Sequence, residues 1–212
     1  MEIVNLAIEK YCEDSTSTES EILKKLNRET HSKILQPRML SGHLQGRFLA
    51  MLSQMIQPTY ILEIGTYTGY SALCLAEGLQ ENGKIITIDV NEELEEFTRN
   101  FFEASSLNNK IEYIIADAKE IIPNLEQEFD IVFIDADKKN YLNYYNLVFD
   151  KVKKGGYIIS DNVLWSGKVA DEKCNDKDTV NLREFNKLML EDPRTENILL
   201  PIRDGLMLSR KI

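Results

Sequence analysis

The sequence has few of the residues that build disulfide frameworks and soft-metal sites. Its three cysteines, Cys12, Cys74 and Cys174, are odd in number and far apart. Isolated thiols of this kind predict neither a disulfide scaffold nor a zinc site, so we expect reduced, mainly structural cysteines. The only histidines are His31 and His43, and two are too few for an all-histidine metal centre.

Long apolar runs and an excess of positive charge are also lacking. No stretch approaches the roughly 18 apolar residues of a membrane span, and "MEIVNLAIEKYCED" carries acids where a signal peptide carries bases. We therefore expect a cytoplasmic protein that does not bind membranes. The formal net charge of −10 argues against binding nucleic acids through the whole surface, although a local basic patch stays open.

The 212 residues contain no internal repeat, low-complexity tract or linker, which predicts one domain. Residues 1–57 show helical patterns only, and we expect them to form a helical cap on a core that spans residues 58–212. Thr18 followed by Glu21 predicts a capping box before "EILKKLNRETHSKIL", and "GHLQGRFLAMLSQMI" predicts a further amphipathic helix.

From Tyr60 onward, short β-rich runs alternate with helical segments. The runs are "YILEIG", "KIITIDV", "IEYIIAD", "FDIVFIDAD" and "GGYIISDN". This alternation predicts an α/β fold with βαβ crossovers and a parallel sheet covered on both faces. The chain ends in "ENILLPIRDGLMLSRKI", two apolar runs joined through Asp204-Gly205. That pattern predicts a hairpin and hence one strand antiparallel to the others.

Acidic residues stand at or near the carboxyl ends of the five predicted parallel strands. They are Glu63, Asp89, Asp117, Asp135 and Asp161. Ligands of open α/β sheets bind at this edge, so we expect the five carboxylates to converge on one rim.

The first run leads into "LEIGTYTGYS", where Gly65 and Gly69 flank a tight strand-to-helix turn. A missing side chain lets a ligand approach the backbone there. The third glycine of a dinucleotide fingerprint is absent and no base accompanies the turn, which disfavours an NAD-dependent dehydrogenase. Glu63 beside the turn suits a ligand with an ammonium or sulfonium charge; a purely structural turn is the alternative.

The second and third strand ends suit a nucleoside. Asp89 can accept hydrogen bonds from both ribose hydroxyls, as acids do at this place in nucleotide-binding α/β folds. The alternative is that Asp89 caps the helix in "NEELEEFTRN". Asp117 and the backbone of Ala118 could hold an adenine.

The fourth and fifth strand ends suit a metal ion. Asp135 follows one strand, Asp161 and Asn162 follow its predicted neighbour, and adjacent strands lie about 5 Å apart. Two carboxylates and an amide are hard oxygen ligands, which select Mg²⁺, Mn²⁺ or Ca²⁺ and leave coordination positions open. The alternative is that these residues only cap helices and form turns.

Together these motifs resemble the cation-dependent class I O-methyltransferases, which use S-adenosylmethionine (SAM). The group includes caffeoyl-CoA and catechol O-methyltransferases and small bacterial relatives. The likeness runs through "PRMLSGHLQGRFLAML", "LEIGTYTGYS", "FIDADKKNY", "SDNVLWSGKV" and "RDGLMLSRK". It implies a Rossmann-like fold with a seven-stranded, mostly parallel sheet, an antiparallel strand in the C-terminal hairpin and extra N-terminal helices.

The resemblance also implies SAM as cofactor and assigns its contacts. The implied contact residues are Met39, Ser41, Glu63, Gly65, Ser71, Asp89, Ala118, Asp135, Asp137 and Tyr144. Asp89 would bind the ribose and Ala118 the adenine, while Asp135 would lie near both SAM and the metal. The other residues would surround the methionine part.

The implied reaction is an in-line attack of a substrate oxygen on the SAM methyl group. The metal would be Mg²⁺, or Mn²⁺ or Ca²⁺, held by Asp135, Asp161 and Asn162. Lys138 matches the general base of the catechol enzymes, although a lysine in "DKKN" could equally be a solvated surface residue. Trp165 is expected to form an apolar wall for the acceptor, and His43 to line its entrance; simple packing is the alternative for both.

The expected acceptor is a small catechol-like or other hydroxylated aromatic molecule. A second candidate is a hydroxylated uridine in tRNA, which some bacterial members of this family methylate and which the acidic composition disfavours. A third is a scaffold protein that binds SAM without catalysis, which the complete acid set disfavours. Family members are commonly homodimers, so we expect a homodimer.

Overall fold

Helices occupy the first part of the described chain, and strands and helices alternate in the rest. The protein is represented by a computed structural model that describes residues 3–212. The helices are α1 (Leu6–Asp14), α2 (Glu21–Lys33), α3 (Gly42–Ile56), α4 (Tyr70–Ala76), α5 (Glu95–Ala104), α6 (Ala118–Ile121), α7 (Tyr141–Phe149) and α8 (Lys177–Glu191). The strands are β1 (Tyr60–Ile64), β2 (Lys84–Asp89), β3 (Ile111–Ile115), β4 (Phe129–Ile134), β5 (Val152–Asp161), β6 (Thr195–Leu200) and β7 (Leu206–Lys211).

The strands form one seven-stranded sheet in the order β3-β2-β1-β4-β5-β7-β6. Strands β1 to β5 are parallel, and β7 pairs antiparallel with both β5 and β6. The α/β class and the antiparallel strand of the C-terminal hairpin are therefore confirmed. The strand order reverses at β1, which lies between β2 and β4, and such a reversal leaves a crevice at the carboxyl edge.

Apolar residues on both faces of the sheet divide the core into two layers. Ile61 of β1 packs in the layer under α2 to α5, whereas its neighbour Leu62 packs in the layer under α7 and α8. Side chains of a strand alternate between its faces, so a run without polar interruption buries both. The run in β4 does this most fully: Ile131, Val132 and Phe133 are all inaccessible to solvent.

The predicted capping box does not form. Helix α2 begins at Glu21 with Ser20 as its N-cap, and the Ser20 side chain makes no capping hydrogen bond. Thr18 therefore lies outside the helix, and the N3 position falls on Leu23 instead of a carboxylate. Leu23 and Leu26 are buried in the core, so packing sets the start of this helix in place of the local capping signal.

None of the helices within residues 3–212 is both long enough and apolar enough to cross a membrane.

The hairpin between β6 and β7 closes through a longer connection than the Asp204-Gly205 turn suggested. Residues 201–205 join the strands, and both Arg203 and Gly205 have positive φ angles. A Cβ atom at Gly205 would lie 2.5 Å from the Leu164 side chain. This close approach places the connection against the segment that follows β5, beside the carboxyl edge of the sheet.

The carboxyl ends of β1, β2 and β4 are held together at Gly65. The Gly65 amide donates to the Ile88 carbonyl at 2.9 Å, and the Asp135 amide donates to the Ile64 carbonyl at 2.8 Å. Gly65 has a φ of +102°, and a Cβ atom there would overlap the Asp135 carbonyl oxygen. Only glycine permits both the backbone conformation and this approach.

Replacing Gly65 with alanine is expected to lower the free energy of unfolding by roughly 2–5 kcal/mol, because left-handed strain adds to a backbone clash. Gly155→Ala is the matched control. Gly155 has a φ of +84°, and a Cβ atom added there would have only the Arg210 guanidinium nearby, at 3.8 Å. The control should lose only the strain of about 1–2 kcal/mol. Urea unfolding measures both; equal losses would contradict the role of the close approach.

Candidate active site

A large cavity opens at the carboxyl edge of the parallel strands. Its volume is about 1450 Å³, whereas pockets for one small ligand usually measure about 300–1,000 Å³. The predicted site residues in its wall are Met39, Gly65, Asp89, Ala118, Asp135, Asp137, Lys138, Tyr144, Asn162 and Trp165. Of the five acids at the strand ends, Asp89, Asp117 and Asp135 line this cavity, which has room for a donor and an acceptor together.

Four further predicted residues are buried without lining the cavity: Ser41, Glu63, Ser71 and Asp161. His43 is placed elsewhere. Its Nε2 atom lies 2.7 Å from the Ser17 carbonyl, and it is not among the residues of the cavity wall. His43 therefore lies apart from the other predicted site residues, in contact with the segment before α2.

Asp89 organises the turn that follows β1. Its Oδ2 atom accepts a hydrogen bond from the Tyr67 amide at 2.7 Å, and its Oδ1 atom accepts one from the Asn91 amide at 2.9 Å. Asn91, not Asp89, caps the next helical turn through the Glu93 amide. Asp89 is therefore not the cap that the sequence left open, and it lies in the cavity wall.

Glu63 is a buried carboxyl group beside this turn. It accepts a hydrogen bond from Thr87, while its Oε1 atom has no partner of standard geometry among residues 3–212. Burial raises the pKa of Glu63 to about 8; the charge of Asp135 adds to the rise, and interactions with Ser71 and Thr87 oppose it. A positively charged ligand nearby would stabilise the ionised form.

Asp135, Asp161 and Asn162 come together at the ends of neighbouring strands, since Ile134 of β4 pairs with Ser160 of β5. Asn162 has a φ of 56° and lines the cavity. Asp161 is completely buried, and burial followed by the charge of Asp135 raises its pKa to about 7.

This group contains only two carboxylates, and residues 3–212 hold no cluster of three or more His, Cys, Asp and Glu side chains arranged for a metal. The third donor is the amide of Asn162. The donors are all hard oxygen atoms, and the two carboxylates repel each other. They fit a hard divalent cation, which would relieve that repulsion.

Lys138 lies beside these acids. Its side chain is 9% exposed, and Nζ lies 3.2 Å from Asp135 Oδ1 and 2.7 Å from Tyr141 Oη. Tyr141 in turn donates to the Asp161 carbonyl at 2.8 Å. The neighbouring Lys139 is 64% exposed. Both lysines lie in the cavity wall, but Lys138 is held against Asp135, whereas the more exposed Lys139 lies 3.7 Å from Asp137 Oδ2.

Asp137 and Tyr144, both predicted near the methionine part of SAM, contact each other directly. The Tyr144 hydroxyl donates to Asp137 Oδ1 at 2.6 Å, and Asn140 donates to Oδ2 at 2.6 Å.

Trp165, the residue predicted to contact the acceptor, lines the cavity. It has a φ of 49°, and its buried Nε1 atom has no hydrogen-bond partner among residues 3–212. Trp165 also packs against the core layer under α7 and α8, so its surroundings include both the cavity and the core.

Two residues of the site were missed from the sequence, Tyr141 and Gln45. The Gln45 amide donates to Asp161 Oδ2 at 2.7 Å from a position 116 residues earlier. Tyr141 stands three residues after Lys138, a spacing that could have indicated contact on one helix face. Gln45 carries no such local signal.

The sequence and the fold match a known enzyme family. Residues 13–212 match the family model described as O-methyltransferase. The caffeoyl-CoA O-methyltransferase of Petroselinum crispum is 37% identical over 206 residues, which cover 92% of this chain and 85% of that protein. The chain therefore belongs to the O-methyltransferase family and is a SAM-dependent O-methyltransferase, as the sequence predicted.

Solved structures agree. The O-methyltransferase from Bacillus cereus in complex with S-adenosylhomocysteine (SAH) has a TM-score of 0.88 at 30% identity, covering 97% of each chain. The SAH-bound methyltransferase PaMTH1 of Podospora anserina has a TM-score of 0.90 at 28% identity, covering 97% of this chain and 94% of that one.

The raised pKa of Glu63 predicts a pH-dependent stability. Its ordinary pKa is 4.5 and its folded pKa about 8, so between these values the folded state keeps a proton that the unfolded state releases. Stability of the ligand-free protein should therefore fall as pH rises, with a Glu63 contribution of at most about 1.4 kcal/mol per pH unit.

Glu63→Gln should lack this contribution and gain stability relative to the wild type between pH 5.5 and 8.5 in urea unfolding, roughly within the window set by the two pKa values. Other titrating groups, including Asp161, affect both proteins and cancel in the difference. Parallel pH curves for the two proteins would show that Glu63 is ionised normally.

Proposed function

We propose that the protein transfers the methyl group of SAM to a hydroxyl of a small catechol-like or other hydroxylated aromatic acceptor, and that it requires a divalent cation. Mg²⁺ is the proposed ion, with Mn²⁺ or Ca²⁺ as alternatives. The strongest support is that Asp135, Asn162 and Lys138 line one cavity, with Asp161 buried directly behind them at the end of β5. These residues would hold the ion and manage the proton of the acceptor.

The cofactor would lie along the ends of β1, β2 and β3. Gly65, where no side chain blocks the backbone, Asp89 and Ala118 mark this path in the cavity wall. Asp89 would receive the ribose and Ala118 the adenine. The methionine part would be surrounded by Met39, Ser41, Glu63, Ser71, Asp135, Asp137 and Tyr144.

The charge of SAM suits this edge. Its sulfonium and ammonium groups would face carboxylates that burial and mutual repulsion make costly to ionise, Glu63 above all. Methyl transfer turns the sulfonium into the neutral thioether of SAH. The attraction between the acids and the sulfur therefore ends with the reaction, which favours exchange of the product for a new donor.

When bound, the cation would supply Lewis-acid chemistry that makes a phenolic hydroxyl more acidic, since a free phenol has a pKa near 10. Lys138 Nζ is proposed to accept the proton. A neutral amine can donate one N–H to Tyr141 Oη and one to Asp135 Oδ1 while its lone pair remains free for that proton. Trp165 would form an apolar wall for the aromatic ring of the acceptor.

A small acceptor fits the site better than tRNA. Leu6, Glu9 and Cys12 of helix α1 form part of the cavity wall, so the N-terminal segment narrows access to the reacting atoms. The net charge of −10 also opposes a polyanionic partner. The caffeoyl-CoA O-methyltransferases to which the chain is similar are named for an acceptor whose caffeoyl group, a catechol-type aromatic, is carried on coenzyme A.

We further propose that residues 1–57 form a cap on a core of residues 58–212 within one domain, and that the protein is a cytoplasmic homodimer. Exposed apolar side chains on α1 and α3, among them Tyr11 and Met55, support self-association through these helices.

The acceptor and the metal requirement are tested together with labelled SAM. Methyl incorporation is expected into a catechol, with none into under-methylated tRNA; EDTA should abolish it and Mg²⁺ restore it. Incorporation into tRNA alone would overturn the proposed acceptor, and full activity in EDTA would overturn the metal requirement.

Asp161→Ala should abolish Mg²⁺-stimulated turnover because it removes a carboxylate ligand. Asp130→Ala is the matched control: Asp130 sits near the opposite end of β4, where it accepts hydrogen bonds from the Thr59 and Tyr60 amides and pairs with Lys153. The control should lose stability and keep its response to Mg²⁺. Equal responses of the two variants in the activity assay would refute the assignment of Asp161.

Lys138→Met should lower kcat by about 10²–10⁴-fold while the Kd of SAM stays unchanged, because general-base catalysis contributes about that much. The loss should shrink with a more acidic acceptor such as nitrocatechol, which needs less help in losing its proton. Lys139→Met is the control for loss of a positive charge from the same cavity wall: Lys139 Nζ lies 3.7 Å from Asp137 and is not paired with Asp135, so its kcat should stay near the wild-type value. A Lys138→Met enzyme with normal kcat would exclude Lys138 as the base.

A further inference from the structure

We propose that Gln45 is a positioning residue that orients the carboxylate of Asp161 for cation binding. This role depends on the metal requirement proposed above. Gln45 belongs to helix α3 in the N-terminal part of the chain, whereas Asp161 ends β5 in the sheet. The inferred role therefore makes the N-terminal helices part of the metal site.

Both oxygen atoms of Asp161 are held by neutral donors. The Gln45 side-chain amide donates to Oδ2 at 2.7 Å, and the Asn162 backbone amide donates to Oδ1 at 2.6 Å. Two donors on opposite oxygens fix the plane of the carboxylate, so its remaining lone pairs keep one direction. Among residues 3–212, Gln45 is the side chain that makes a hydrogen bond to this carboxylate.

Arg203 is near but cannot replace Gln45. Its guanidinium lies 3.8 Å from Asp161 Oδ2, beyond hydrogen-bond distance, and donates instead to the Arg38 carbonyl. An arginine or lysine in contact with Asp161 would also compete with a cation for its charge. A neutral amide orients the carboxylate without adding a positive charge.

Stability alone does not account for an amide at this position. Gln45 is 1% exposed, and its Oε1 atom has no hydrogen-bond partner among residues 3–212. A buried, unsatisfied polar atom costs about 1–3 kcal/mol, which an apolar side chain of the same shape avoids. The hydrogen bond to Asp161 is the interaction that such an apolar side chain could not make.

Gly46, the next residue of α3, fixes the position of the helix and therefore of the Gln45 amide. A Cβ atom at Gly46 would lie 2.5 Å from the Tyr70 ring and 2.9 Å from Cys74 Sγ, so α3 and α4 are in direct contact there. Close backbone packing of this kind leaves α3 little freedom to shift. Gln45 is thus presented to Asp161 by a rigid helix pair.

Gln45→Met tests the role, because methionine keeps the size of the side chain and removes the donor. The probe is Mn²⁺, whose Kd is measured by the EPR signal of the free ion in the presence of SAH. We expect the Kd to rise about 10–100-fold, the usual cost of losing an outer-shell partner of a metal ligand. Saturating Mn²⁺ should return turnover toward the wild-type value, because Gln45 touches no reacting atom.

Ser53→Ala is the matched control from the same helix. Ser53 is completely buried, and its hydroxyl donates to the Leu75 carbonyl at 2.6 Å, away from Asp161. It should lose stability and keep the wild-type Kd for Mn²⁺. If Gln45→Met does not fold, Gln45→Asn carries the test: its shortened amide should not reach Asp161, and the Kd should rise in the same way.

An unchanged Kd in the folded Gln45 variant overturns the proposal, as does an equal rise in the Ser53 control. Wild-type protein that binds SAH but no Mn²⁺ would refute the metal requirement itself. That failure is distinguishable because it appears before any substitution is made.

Discussion

The backbone contact between Gly65 and Asp135 is the constraint on which the site depends. It brings the carboxyl ends of β1 and β4 so close that no side chain fits between them. Strands β2 and β5 pair in parallel with β1 and β4, so their carboxyl ends lie at the same edge, on either side of this contact. Residues from distant parts of the chain thereby reach one rim, and a ligand can lie against bare backbone at its centre.

Because several carboxyl groups are buried close together at this rim, ionising them is costly in the ligand-free protein. Burial and neighbouring charges raise the pKa of Glu63 to about 8 and that of Asp161 to about 7, so both carboxyl groups are costly to ionise. A sulfonium donor on one side and a divalent cation on the other would offset this cost. A cost of this kind in the ligand-free protein would become affinity for positively charged ligands.

Much of this arrangement could be predicted from local sequence. The alternation of β-rich runs with helical segments predicted a parallel sheet, and acids at or near the ends of the runs predicted its ligand-binding edge. Tertiary packing decided the rest. Leu23 set the start of α2 against a plausible capping pattern at Thr18, and the hairpin needed a five-residue connection to pack Gly205 against Leu164.

Sequence reasoning was weakest for contacts between distant elements. His43, expected from the sequence either at the acceptor entrance or in a packing role, contacts Ser17 and lies outside the cavity wall. Gln45, two residues later, reaches Asp161 instead. The amphipathic pattern of α3 indicates its buried face, which includes Gln45, but it does not indicate that Asp161 is the residue met there.

The central claim is that a divalent cation and the SAM methyl group occupy neighbouring positions on this rim. It is tested most directly by the NMR relaxation of SAM labelled with ¹³C at the methyl carbon, bound to the protein in the presence of Mn²⁺. Bound Mn²⁺ should broaden the methyl signal strongly, and excess Mg²⁺ should restore it. A methyl signal that stays sharp while both SAM and Mn²⁺ are bound would contradict the account.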